Sequence, residues 1–242
     1  MSFLLSVRAV CDIGRKKPNN EDMILIHDEI FRDGFRQKEL NSNDRLVFAV
    51  ADGVGGLNKG EVASERVLLT LKSFLKSIPD DLCTEELNEV FDTYTQETHR
   101  SLPRDMGTTL VGLFLYQGKM FQFHAGDSRI YRFRNETIER LTIDHSLVEA
   151  GGDPTAPSNI ITNSIGGGPS AFLEFDEITD PLKDNDVYLL SSDGMHDLIN
   201  NDEVLKEIKK ENAAEILTNL ANERGGKDNI SVLTIKINST GG

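Results

Sequence analysis

Cysteine is scarce in this chain, and its scarcity excludes two kinds of protein. The 242 residues include two cysteines, Cys11 and Cys83, which lie far apart and form no CxxC motif. The sequence therefore indicates neither a disulfide framework nor a thiolate zinc site. This cysteine usage fits a reducing cytosol, and we expect a cytoplasmic protein.

Long apolar runs and excess positive charge are also missing. The apolar run at 3–5 is brief, and no run reaches the ~20 residues that a membrane span needs, so we expect a soluble, unexported protein with no membrane partner. Lys and Arg total 26 against 40 Asp and Glu, a net charge of −14. That charge repels nucleic acid phosphates, so a nucleic acid partner is not expected. The carboxylates either form a solvated surface or cluster around bound cations.

The length favours one domain spanning 1–242, and hydrophobic periodicity predicts both strands and helices in it. Period-two or continuous apolar patterns predict strands at 3–11, 46–51, 187–192 and 230–237. Apolar residues every three or four positions predict helices at 63–78, at 202–210 and at 213–223, and one that starts at Thr84 as its N-cap.

Two segments between these elements have different residue patterns. Three short β-rich runs between 108 and 141 are separated by Gln117-Gly118 and by a bend at 126–128, which predicts an antiparallel meander. Residues 150–169 are rich in Gly, Pro, Ser and Asn, which is typical of a loop. The order of elements predicts an α+β protein, with helices segregated from mostly antiparallel sheets.

Acidic residues recur where predicted strands end or begin, at Glu21, Asp22, Asp52, Asp127, Asp193 and Asp228. Strand ends in a packed sheet are rigid, so these side chains could converge on one point. Converging carboxylates repel one another unless cations neutralise them, and oxygen-only ligation selects hard cations such as Mg²⁺ or Mn²⁺.

The alternative is that these acids are ordinary surface or turn residues. An isolated Asp-Gly is usually a hairpin turn, but Asp52-Gly53 and Asp193-Gly194 both lead toward helical sequence and so do not join two hairpin strands. Taken singly, Asp127 and Asp228 fit a surface role as well as a site role.

Eight motifs in order resemble the metal-dependent type 2C serine/threonine protein phosphatases, the PPM family, and most closely its bacterial members. They are GRKKPNNED (14–22), VADGVGG (50–56), GTT (107–109), HAGDSRIYRF (124–133), LTIDHSL (141–147), NIITNSIG (159–166), SSDGMHD (191–197) and GGKDNISV (225–232). The resemblance implies a four-layer α+β sandwich, in which two mostly antiparallel sheets are flanked by pairs of helices. It also implies a short flap-like loop at about 146–169.

The resemblance implies a role for each matching residue. Asp52 would bridge two Mn²⁺ or Mg²⁺ ions; Glu21 and the Gly53 carbonyl would complete one ion's site, and Asp193 and Asp228 the other's. Asp127 would join Asp193 at a weaker third ion. Asp22 would orient water from behind the ligands, and Asn229 would support the neighbouring ligand.

Two positions depart from the family pattern. Lys17 stands where the family has its phosphate-binding arginine, so a point charge replaces a bidentate fork. Val54 stands where many eukaryotic members have a histidine proposed as general acid, which leaves protonation of the leaving group to water.

The implied activity is hydrolysis of phosphoserine and phosphothreonine in proteins by a metal-activated water, with phosphoproteins as substrates and a Ser/Thr kinase and its targets as partners. A pseudophosphatase is the first alternative, but it would have lost metal ligands that this sequence retains. A two-metal nuclease is the second, and the charge of −14 disfavours it because a nuclease needs a basic groove.

Overall fold

A computed structural model describes residues 2–54, 59–151 and 160–240. Most of the loop predicted at 146–169 is described, but its residues 152–159 lie outside the described ranges, as do positions 55 and 56 of the second motif. The elements in chain order are β1 (Phe3–Asp12), β2 (Met23–Ile26), β3 (Glu29–Phe31), β4 (Gly34–Asn41), β5 (Leu46–Ala51), α1 (Gly60–Ser77), α2 (Thr84–Ser101), β6 (Gly107–Thr108), β7 (Leu110–Tyr116), β8 (Lys119–Ala125), β9 (Arg129–Arg134), β10 (Thr137–Arg140), β11 (Ile165–Gly166), β12 (Glu174–Glu177), β13 (Val187–Ser191), α3 (Asp193–His196), α4 (Asn201–Glu207), α5 (Ala213–Glu223) and β14 (Ile230–Ser239).

The described strands form two six-stranded antiparallel sheets and one short pair. One sheet has the order β10-β9-β13-β14-β1-β4, and the other has the order β12-β8-β7-β5-β2-β3. The short pair joins β6 to β11, with Thr108 opposite Ile165. The predicted α+β class and its mostly antiparallel sheets are confirmed.

Three apolar clusters separate four layers. A central cluster, which includes Val7 and Phe48, lies between the sheets. A second packs α1 and α2 on the sheet that contains β5, and a third packs α4 and α5 on the sheet that contains β14. Strand β5 shows why its sequence is continuously apolar: Phe48 belongs to the central cluster, and its neighbour Ala49 to the helix-facing one.

The predicted meander is wrong in its last strand. Strands β7 and β8 form the expected hairpin, but β9 pairs with β10 and β13 in the other sheet. The chain crosses between sheets at Gly126, whose φ of +113° is in the region that favours glycine, and a Cβ there would lie 2.7 Å from the Thr109 side chain. The bend therefore changes sheets, and Asp127 lies at the crossing.

Two helix ends also differ from the prediction. Helix α2 has Cys83 as its N-cap, and Thr84 is its first helical residue, because the Glu86 carboxylate accepts the Cys83 N–H at 2.8 Å. The helix predicted at 202–210 is shorter, Asn201–Glu207. Strands β2, β3, β4, β10 and β12 and the short β6–β11 pair were not predicted. None of the described helices combines the length and apolar character that crossing a membrane requires.

Candidate active site

The predicted site residues meet at the ends of the two sheets. Asp52 follows β5 and Asp127 follows β8 in one sheet, while Asp193 follows β13 and Asp228 precedes β14 in the other. All four border one open cleft of about 280 Å³, whose lining is Lys17, Asp52, Gly53, Val54, Thr109, Asp127, Ile161, Asp193 and Asp228. The structure thus places together carboxylates that are far apart in the sequence.

The backbone of Asp52 is held on both sides. Its N–H donates to Thr109 Oγ1 at 3.1 Å, and its carbonyl accepts from the Thr109 N–H and from Thr108 Oγ1, each at 2.8 Å. Thr109 Oγ1 in turn lies 2.8 Å from Ser128 Oγ. The GTT motif therefore fixes the position from which the Asp52 carboxylate projects, a role that the sequence did not suggest.

Gly53 is needed because another part of the backbone comes very close to it. A Cβ at this position would lie 2.6 Å from the carbonyl carbon of Gly60, at the start of α1. The Gly53 N–H donates to the Glu21 carbonyl at 3.2 Å. Any larger residue would push α1 away from the cleft and disturb this contact with Glu21.

Asn229, just before β14, holds the loop between β1 and β2 that contains Glu21. Its Oδ1 accepts the Glu21 N–H at 2.8 Å, and its Nδ2 donates to the carbonyls of Ile13 and Asn19 at 2.9 and 3.0 Å. Ser64 Oγ also donates to the Glu21 carbonyl, at 2.6 Å. The Glu21 side chain does not line the cleft. Burial raises the pKa of Glu21, and the charges of Glu61 and Asp228 raise it further, although the charge of Lys17 opposes the shift.

Asp22 lies beneath the cleft and has no solvent exposure. Its Oδ2 accepts a hydrogen bond from Ser192 Oγ at 2.7 Å, whereas its Oδ1 has no hydrogen-bond partner among the described residues. Burial raises the pKa of Asp22 from 3.8 to about 6, and the charge of Asp228 adds to this, although the bond from Ser192 opposes it.

The pKa values of three aspartates that line the cleft are also raised. Burial raises the pKa of both Asp52 and Asp193 well above its ordinary value, and the charges of the surrounding aspartates raise it further. The pKa of Asp127 rises to about 6, first through burial and then through the charge of Asp144. Asp193 Oδ1 is buried without a hydrogen-bond partner within the described ranges. A cation in the cleft would relieve this repulsion.

The donor set therefore fits divalent metal ions. The available ligand atoms are carboxylate oxygens and a backbone carbonyl, with no thiolate or imidazole among the residues that line the described cleft. Such all-oxygen sites suit Mg²⁺ and Mn²⁺. The buried, unpartnered oxygens of Asp22 and Asp193 are the features that bound ions and their water would satisfy.

Lys17 brings a positive charge to the rim of this acidic cleft. Its Nζ lies 2.6 Å from Asp228 Oδ1, and its side chain is 29% exposed. Burial works against the charged form, but the hydrogen bond and charge of Asp228, together with the charges of Asp52 and Glu21, outweigh it and raise the pKa of Lys17. The ammonium is therefore protonated at neutral pH, and an anionic substrate in the cleft would compete with Asp228 for it.

Two acids for which no role was predicted, Asp144 and Asp197, lie next to the cleft residues. A smaller cavity of about 100 Å³ shares Asp127 and Asp193 with the cleft and is also lined by Asp144 and Asp197. Asp144 forms an ion pair of 2.6 Å with Arg129. The spacing could have indicated Asp197, because it follows Asp193 by four residues and a helical turn places both on one face.

A second group of potential ligands, His124, His145 and Glu174, does not suit a metal ion. The His145 Nδ1 accepts the Gly126 N–H at 3.1 Å and the Asn163 amide at 2.8 Å, so its proton is on Nε2. That proton faces Glu174 Oε1 at 3.4 Å and leaves no lone pair for a cation. His145 instead holds the backbone just before Asp127, which agrees with its exclusion from the predicted catalytic residues.

Comparison with known proteins gives consistent matches over almost the whole chain. The family model described as protein phosphatase 2C matches residues 26–226. The chain is 30% identical over 258 aligned positions to protein phosphatase PhpP of Streptococcus pneumoniae, and the match covers 97% of this chain and 98% of that protein.

Solved structures agree in fold as well as in sequence. A serine/threonine phosphatase of S. agalactiae superposes with a TM-score of 0.79 at 26% identity, covering 96% of this chain and 99% of the other. The catalytic domain of the serine/threonine protein phosphatase PstP, solved with two manganese ions, superposes with a TM-score of 0.74 at 26% identity, covering 98% and 100%. The predicted four-layer sandwich is thereby confirmed.

Proposed function

This chain belongs to the protein phosphatase 2C family and resembles its bacterial members, and we propose that its cleft hydrolyses phosphoserine and phosphothreonine in proteins with the help of bound divalent metal ions. The observation that carries the proposal is the convergence of Asp52, Asp193 and Asp228 in one cleft beside the ammonium of Lys17. The carboxylates suit cations, and the lysine suits the phosphate of a substrate.

All of the proposed ligands except Glu21 line the cleft, and Glu21 is held beside it because its carbonyl accepts the Gly53 N–H. Asp52 would bridge two Mn²⁺ or Mg²⁺ ions, with Glu21 and the Gly53 carbonyl at one ion and Asp193 and Asp228 at the other. The manganese-containing PstP structure supports two ions. Asp127, beside Asp193 in the adjoining cavity, would hold a third. When bound, such ions supply a nucleophilic water at neutral pH and neutralise charge that develops on the phosphoryl group.

The chain's own residues then orient the reactants. Asp22 Oδ1, which has no hydrogen-bond partner in the part of the chain that the structure describes, would accept a hydrogen bond from water, while Ser192 holds the other oxygen. Lys17 would bind a phosphate oxygen and place the phosphorus for attack. Val54 lines the cleft without an ionisable group, so the proton for the departing serine or threonine oxygen would come from water.

The cellular context is also a proposal. Substrates would be phosphorylated proteins, and the natural partners would be a Ser/Thr protein kinase and its targets, because the phosphatase reverses the product of such a kinase. Both cysteines are free thiols, Cys11 buried and Cys83 exposed, which supports a reducing cytoplasm. Residues at the ends of both sheets line the same cleft, which supports a single catalytic domain over 1–242.

The decisive experiment compares phosphoserine, phosphothreonine and phosphotyrosine peptides in Mn²⁺ and in excess chelator. We expect release of phosphate from the first two peptides, and its loss in chelator. Hydrolysis that persists in chelator would contradict the metal mechanism. Binding of the peptides without hydrolysis at saturating Mn²⁺ would instead identify a pseudophosphatase.

A further inference from the structure

A further pocket, which shares no residue with the cleft, is lined by basic side chains and glycine backbone. It has a volume of about 210 Å³, and we call it the basic pocket; its lining is His99, Arg100, Leu102, Arg104, Gly167, Gly168 and Pro169. Neither catalytic carboxylates nor Lys17 contribute to it. Its chemistry is therefore separate from that of the active site.

The positive charges of the basic pocket are available to a ligand. Within the described ranges, neither Arg100 nor Arg104 forms an ion pair, and both are exposed. By contrast, Arg129 and Arg134, which lie on strand β9, are each paired with an aspartate at 2.6 Å. The guanidinium groups of Arg100 and Arg104 thus make the basic pocket locally positive, although the chain as a whole has a net charge of −14.

An imidazole and one backbone N–H add hydrogen-bond donors. His99 Nδ1 accepts the Gly166 N–H at 3.0 Å, so the neutral ring carries its proton on Nε2. The N–H of Gly168, which lies beyond β11, makes no hydrogen bond within the described part of the chain. Arginine forks, an imidazole N–H and a glycine N–H are donors that recognise carboxylate and phosphate.

The carbonyl groups at the C-terminal end of α2 do not cancel the positive charge of the basic pocket. The carbonyl of Thr98 accepts from Ser101 Oγ, that of His99 from the Leu102 N–H, and that of Ser101 from Arg66. The negative end of the helix is thus partly compensated before any ligand arrives.

The short β6–β11 pair connects the basic pocket to the cleft. Gly53 is bridged to Thr108, Thr108 is paired with Ile165, and Gly107 is paired with Gly166, which precedes the pocket's glycines. Neighbouring strands are ~4.8 Å apart, so two such steps place the pocket roughly 10 Å from Gly53. An extended peptide advances ~3.3 Å per residue, so that distance corresponds to about three residues.

We propose that the basic pocket binds an acidic side chain, either a carboxylate or a second phosphate, about three residues from the phosphorylated residue of the substrate. The pocket would then select acidic phosphoprotein segments that the overall charge of the enzyme repels. This proposal rests on the proposed function, because it assigns a substrate class to the same active site.

The test uses phosphothreonine peptides that differ at one position. The position three residues before or after the phosphothreonine carries glutamate, glutamine or a non-hydrolysable phosphonate analogue of phosphoserine. For each peptide, kcat/KM is measured in Mn²⁺, and Kd is measured by fluorescence anisotropy. The proteins are the parent, the double variant Arg100→Ala/Arg104→Ala, and Lys76→Ala as control. Lys76 is an exposed cation in the last turn of α1, ~24 Å along that helix from the cleft end.

We expect the parent to prefer glutamate over glutamine about tenfold on one side of the phosphothreonine, and the phosphonate peptide to bind more tightly still if phosphate is the natural ligand. The double variant should lose the preference and keep its activity on the glutamine peptide. The Lys76→Ala control should match the parent on every peptide. Equal kcat/KM for glutamate and glutamine peptides on both sides would overturn the basic pocket while leaving the proposed function intact. Discrimination in Kd without any hydrolysis would support the pocket and contradict the proposed function.

Discussion

Replacing Asp22 by asparagine should stabilise the metal-free protein while damaging the enzyme. Asp22 is fully buried, and its pKa is raised from 3.8 to about 6, mainly by burial. The folded state therefore holds this proton more tightly than the unfolded state does. The stability that the neutral carboxyl contributes is fully present below pH 3.8 and is lost as the pH rises through 6.

The size of the effect follows from that shift. A rise of roughly 2 pKa units corresponds to about 3 kcal/mol at pH 8, which Asp22→Asn should recover because its oxygen can still accept from Ser192. For a chain of this length, that is a rise in Tm of about 6 to 12 °C in chelator. The difference should shrink as the pH falls toward 4.

The assay is thermal unfolding of both proteins from pH 4 to pH 8, first in excess chelator and then in Mn²⁺. In Mn²⁺ the parent should gain more stability than the variant, since ions bind the native carboxylates, and the variant should have a lower kcat. An Asp22→Asn variant that is no more stable than the parent in chelator at pH 8 would refute the electrostatic strain inferred for this cluster.

The remaining predictions concern the cleft directly. Lys17→Ala should lower kcat/KM on a phosphothreonine peptide by about tenfold to a hundredfold, and Lys17→Arg should restore it, because a guanidinium can bind two phosphate oxygens; parental kinetics in the alanine variant would make Lys17 a solvated turn residue. Asp127→Ala should fold and bind two Mn²⁺ ions in equilibrium dialysis but turn over more slowly, and full turnover would remove the third ion from the mechanism. Asp52→Ala and Asp193→Asn should abolish Mn²⁺-dependent phosphate release, and undiminished release by either would disprove its role as a ligand.

The fold could be predicted where local pattern decides structure. The alternation in β1 and the apolar run of β5 were sufficient to identify both strands. A strand buried on one face needs an apolar residue at every second position, and a strand buried on both faces needs one at every position. Strand β4 was missed because it is a polar edge strand, GFRQKELN, whose half-exposed alternation carries no apolar signal. The sheet change at Gly126 was missed because a bend between sheets and a hairpin turn use similar residues.

The site could be predicted as a set of residues but not as a geometry. Strand-end placement and the family motifs pointed to Asp52, Asp193 and Asp228, and the structure brings all three to one cleft. The pairing of Lys17 with Asp228 depends on how the loop after β1 folds back on the loop before β14, which no local pattern encodes. The role of Thr109 in fixing Asp52 is likewise a contact between distant segments.

The most direct test of the metal-dependent phosphatase proposed here is a Mn²⁺ titration of chelator-treated protein, with bound Mn²⁺ and phosphate release from a phosphothreonine peptide measured on the same samples. We predict that hydrolysis is absent without metal, rises as two ions bind per chain, and falls to background in Asp193→Asn at every concentration. Hydrolysis that is already complete before Mn²⁺ binds, or two bound ions with no hydrolysis, would contradict it.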